Sequence, residues 1–135
     1  MKRLITLSIL SLALGNCAFY HTPAIDVTEV SFDWNNTIWD TVSFTVMNTG
    51  DVALDAIDIY FTAHCGGGDF DQIATFPEAH GNPDSPVAVG STCDVEKILA
   101  TLTGGATSIE ITQVVVDYET ITNRILTYTK TFLKP

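Results

Sequence analysis

Basic side chains are scarce in this chain: six Lys and Arg stand against sixteen Asp and Glu, a formal charge of −10 over 135 residues. Two of the six, Lys2 and Arg3, lie at the very start, so without them −10 becomes −12 and the cations left are Lys97, Arg124, Lys130 and Lys134. A surface of that sign repels phosphate, which argues against nucleic acid as a partner and against electrostatic docking on anionic headgroups. It favours solubility, cations or basic partners. Catalytic signatures are missing as well. No serine sits in a G-x-S-x-G turn, and neither C-x-x-C nor H-x-x-x-H spacing occurs. The glycines 66–68 have no Lys-Ser/Thr after them to build a phosphate loop. No stretch combines helical spacing with caps, and the longest apolar run, residues 4–14, is far too short to span a bilayer. These gaps argue against an enzyme.

What is present at the start reads as an export signal: Met1-Lys2-Arg3 supplies a basic region and Leu4 to Leu14 an apolar one. The run ends in Leu14-Gly15-Asn16-Cys17, which resembles the lipobox of bacterial lipoproteins, where a signal peptidase cuts before a cysteine that then carries lipid. The resemblance implies that residues 1–16 are removed and that Cys17 anchors the mature chain to a membrane through lipid alone. Ala18 resembles the sorting pattern of outer-membrane or surface lipoproteins. Asn16 stands where that family has Gly, Ala or Ser, which leaves open an ordinary cut after Gly15 and a secreted or periplasmic chain. Cysteine parity fits the lipid reading: with Cys17 modified, Cys65 and Cys93 are free to pair in an oxidising compartment.

Residues 17–25, with Pro23 and no periodicity, read as a tether, and residues 26–135 as one β-domain. Period-two alternation marks the strands. Val30, Phe32 and Trp34 alternate with polar residues, as do Val42, Phe44 and Val46. The clearest run puts Ile57, Ile59, Phe61, Ala63 and Cys65 on one face and Asp58, Tyr60, Thr62 and His64 on the other. Further runs cover 93–102, 108–118 and 124–132, and the phase change near Thr112-Gln113 predicts a β-bulge. Asn48-Thr49-Gly50-Asp51, Thr103-Gly104-Gly105 and residues 119–123 carry hairpin-turn chemistry. The stretch 66–92 reads as the main irregular element, with one short strand at 73–76. Such a pattern predicts an all-β fold, an Ig-like antiparallel β-sandwich of six to eight strands. Val42 to Phe61, with its Asn-x-Gly turn, resembles the second and third strands of exported Ig-like modules of the FxLYD or CARDB type. That family implies spacers, adhesion units and ligand platforms rather than one activity.

Candidate chemistry is sparse. Cys65 and Cys93 both fall on the inward phase, so a disulfide between them is expected to staple two strands. The alternative use of these thiols, a zinc tetrahedron of His64, Cys65, His80 and Cys93, conflicts with the opposite faces of adjacent residues on a strand. No resident metal or cofactor is expected; calcium on Asp69 and Asp71 in the glycine-rich segment is the alternative, without the ligand spacing of an EF-hand. Tyr60, Asp69, Asp71 and Trp39 are the candidate binding residues, with a protein or glycan as partner. The expected role is a non-enzymatic binding or structural module of the bacterial envelope. The rival is a filament or surface-layer subunit that self-associates by β-strand addition through residues 18–30 or 125–132.

Overall fold

The computed structural model describes residues 20–34, 40–77, 86–99 and 105–135. Cys17, Trp39, His80 and residues 1–16 lie outside the described residues. Among the described residues eight strands follow one another: β1 Ile25–Ser31, β2 Asp40–Asn48, β3 Ala56–Cys65, β4 Gly68–Phe76, β5 Thr92–Leu99, β6 Ala106–Tyr118, β7 Ile121–Leu126 and β8 Lys130–Leu133. In β3 the alternation written in the sequence becomes alternation in burial: Ile57, Ile59, Phe61 and Ala63 are buried, while the residues between them are half-buried.

All strands belong to one curled antiparallel sheet in the order β1-β2-β5-β4-β3-β6-β7, with β8 also pairing β6. The sandwich reading has two separate sheets; here the hydrogen bonding runs on through a single residue pair, Thr75 opposite Glu96, between β4 and β5. On either side of that junction the curl brings inward faces together. Val27, Val42, Phe44, Val46 and Val95 from one flank share a core with Ile57, Ile59, Phe61, Ile109, Ile111 and Val114 from the other. Phe44 meets Phe61 edge-on with ring centroids 5.0 Å apart, a contact that adds about 1 kcal/mol to the burial of two large rings.

Three features depart from the sequence expectations. The segment after Gly66 is a full strand rather than a loop, because Gly66-Gly67 makes a two-residue hairpin turn that pairs β4 with β3 from Cys65↔Gly68 onward. Residues 48–51 do not close a hairpin: β2 pairs with β1 and β5, so this corner carries the chain from one flank of the sheet to the other. The expected tether is fastened to the fold from Thr22 onward. Thr22 N donates to Asp51 Oδ1 at 2.7 Å, and Ala24 O accepts from Thr49 N and Gly50 N. A Cβ on Gly50 would stand 2.6 Å from Ala24 N and 2.7 Å from Thr22 O, so this close backbone approach requires glycine.

Asn48 organises the corner. Fully buried, it donates from Nδ2 to Val52 O at 2.8 Å and to Val87 O at 2.9 Å, and Oδ1 accepts from Gly50 N at 3.0 Å. Every polar group of the side chain is thereby satisfied.

The sheet's two outer strands end differently. Along β1, Val27 N donates to Tyr128 Oη at 2.9 Å and Val27 O accepts from Lys130 Nζ at 2.6 Å, while Tyr128 Oη donates to Asp26 at 2.9 Å. Side chains thus occupy backbone groups that an open edge would offer to another strand. On the other side β7 pairs only with β6 and exposes Ile121 and Ile125.

Candidate functional site

The outward face of β3, β4 and β6 gathers a cluster of polar side chains from three strands. Register sets the rows: Tyr60 lies between Ile73 and Gln113, Thr62 between Asp71 and Glu110, and His64 between Asp69 and Ser108. The expected bulge is present. Tyr60 pairs with Gln113 and Phe61 with Ile111, which leaves Thr112 as the extra residue of β6. Its hydroxyl turns back to donate to Tyr60 O at 3.2 Å. A bulge widens and kinks a sheet locally, and here it opens a groove of about 420 Å³ lined by Tyr60, Thr62, Asp71, Gln72, Ile73 and Thr112. Ile73 is exposed beside Tyr60, so the groove pairs an aromatic ring and an aliphatic side chain with hydroxyl and carboxylate groups.

Next to the groove, three strands converge on one imidazole. His64 Nδ1 lies 2.8 Å from Asp69 of β4 and Nε2 lies 2.9 Å from Glu110 of β6. Hydrogen bonds to Glu110 and then to Asp69 hold the His64 pKa above its usual value. The protonated ring can donate to both carboxylates at once; the neutral ring has one N–H and satisfies only one. Thr62 Oγ1 donates to Asp71 Oδ1 at 2.6 Å in the adjacent row. Two residues from Tyr60 on the same face, Asp58 Oδ1 is shut from solvent without a hydrogen-bond partner among the described residues.

Tyr60, Asp69 and Asp71 are therefore brought onto one face. The calcium alternative finds both carboxylates on a strand, each already holding a neighbour, and the described residues contain no group of three or more His, Cys, Asp or Glu side chains set to hold a metal ion. Glu110 was not among the residues singled out. Only the β3–β6 register places it beside His64, and no short-range signal in the sequence carries that register.

The expected Cys65–Cys93 disulfide is not formed: both thiols are free. The reason is topological. β3 and β5 are both antiparallel to β4 and so run the same way, with Asp58, Thr75 and Glu96 at one level. Cys65 is the last residue of β3 and Cys93 the second of β5, an offset of about ten residues or roughly 30 Å along the strands, against a Cα limit of about 7 Å for a bridge. The same offset breaks up the zinc set. Burial pushes the Cys93 thiol up to about 11, helped by Asp94, and also raises Cys65. Neither is a ready thiolate.

Comparison with protein-family models, curated proteins and solved structures found no match.

Proposed function

We propose that this chain is an exported, lipid-anchored binding module of a bacterial envelope, non-enzymatic, which engages its partner through the face of β3, β4 and β6. The observation that carries the reading is the groove beside Tyr60: a formed concavity with one aromatic ring and several polar groups, on a platform of paired strands rather than on a mobile loop. The order β1-β2-β5 on one flank and β4-β3-β6-β7 on the other, joined by one residue pair, supports an Ig-like sandwich of the FxLYD or CARDB kind. The lipobox-like Leu14-Gly15-Asn16-Cys17 supports the anchor. Five residues from Cys17 to the fastened Thr22 would hold the domain within about 17 Å of the lipid surface. Membrane fractionation of the full chain and its Cys17→Ser variant tests the anchor. Wild type is expected with the membranes and the variant in the soluble fraction. A soluble wild-type chain whose intact mass lacks an acyl increment rules the anchor out. The outer edge of β7, with Ile121 and Ile125 exposed, favours a second reading in which another copy adds a strand there.

A further inference from the structure

We infer that the groove takes a neutral oligosaccharide, an inference that rests on the same face being the recognition surface. Sugar rings present an apolar C–H face and a rim of hydroxyls that both donate and accept. The groove offers the complement of each. Tyr60 with the adjacent Ile73 supplies an apolar platform one ring wide, and the Thr62 and Thr112 hydroxyls and the Asp71 carboxylate stand around it. Asp71 spends one oxygen on Thr62 and Thr112 donates to Tyr60 O, so both polar groups are held in place before a ligand arrives.

Charge selects within the class. Asp58, Asp69, Asp71 and Glu110 share this face, no Lys or Arg stands among the outward residues of β3 and β4, and the chain as a whole is strongly acidic. Uronic acids, sialic acids, sulfated glycans and phosphorylated sugars would meet repulsion, the His64 ring being already engaged by Asp69 and Glu110. The volume, about 420 Å³, accommodates one to two hexose units, with the open ends of the groove leaving longer chains free to extend.

The test is titration of the mature protein with chitohexaose, maltohexaose and mannohexaose, followed by amide-resolved NMR and calorimetry, with hyaluronan hexamer and hexalysine as contrasting probes. At least one neutral hexamer is expected to bind at millimolar concentration or better and to shift the amide signals of residues 60–62, 71–73 and 112, while the hyaluronan fragment does not bind. Tyr60→Ala should weaken binding about tenfold and Tyr60→Phe should keep it, since stacking needs the ring and not the hydroxyl. Asp71→Asn should weaken it by a smaller factor. Failure of all three neutral hexamers, or binding that Tyr60→Ala leaves unchanged, overturns the proposal. Binding of hexalysine alone at these residues also overturns the sugar assignment, yet leaves the face as the recognition surface. Perturbation confined to other strands overturns both.

Discussion

The corner around Asn48 and the face around His64 are both polar, but they are built on opposite terms. Asn48 is sealed from water, cannot titrate, and uses each hydrogen-bonding group of its side chain on backbone from three separate positions. His64 is partly exposed, titrates, and is held by two carboxylates whose demands it meets in one protonation state only. A buried, neutral, saturated side chain fixes how the chain is routed, because losing it removes three hydrogen bonds at once. An exposed charged cluster contributes little to stability but leaves an adjustable surface. The difference separates the part of this molecule that specifies the fold from the part able to take a ligand.

The largest effect is expected from Asn48→Ala, which takes the Asn48 donor from Val52 O and one of two bonds each from Val87 O, which keeps Leu54 N, and Gly50 N, which keeps Ala24 O: a loss of roughly 3 kcal/mol in urea unfolding, given about 1–3 kcal/mol for a stranded group and about 1 kcal/mol for each further bond. A loss below about 1 kcal/mol would erase the contrast with the face. Gly50→Ala comes next, at roughly 1–3 kcal/mol, because its Cβ collides with the backbone of Thr22 and Ala24. Hydrogen exchange should show residues 22–25 loosening first. If they exchange as in wild type, the segment is not held as described.

The His64 cluster yields a signed pH dependence. Its folded-state pKa is raised, so the contribution is fully present below the unfolded value of 6.5 and is lost as pH rises through the folded value. Melting temperature followed from pH 5 to pH 9 should therefore fall across and above that window in wild type relative to His64→Gln, which cannot titrate. Superimposable profiles would mean that Asp69 and Glu110 do not hold the ring. The smallest effect is assigned to Tyr60→Ala, expected within about 0.5 kcal/mol of wild type in stability, since the ring stands on the outward face away from the core cluster. A cost above about 2 kcal/mol would move Tyr60 to the fold-specifying side of the comparison.

Much of the strand content was legible, for identifiable reasons. The alternation through Ile57–Cys65 is long and unbroken, and the phase change at Thr112 marks the bulge because an extra residue must reverse the faces. β4 was obscured at its start: three glycines and two aspartates depress strand propensity, yet a two-residue Gly-Gly turn and the β3 template outweigh them. The Asn48–Asp51 turn chemistry was legible but its use was not. Turn residues announce a corner without saying whether the next strand pairs locally or crosses to the other flank. The groove and the His64 cluster needed long-range register, which local pattern does not encode. The same gap explains the disulfide: inward phase was right for both cysteines, but phase says nothing about height along the sheet.

The seal along β1 carries a consequence for the order in which this chain can become native. Val27 is closed off by Tyr128, 101 residues further along, and by Lys130, 103 residues along. Contacts of such separation are reached late, because a long loop must be closed before they contribute anything. Until Tyr128 and Lys130 arrive, the first strand therefore presents an unblocked template to any other extended segment, its own sister molecules included. Conditions that crowd incompletely folded copies together should thus divert them through β1, whereas in the finished molecule the backbone of Val27 is already taken.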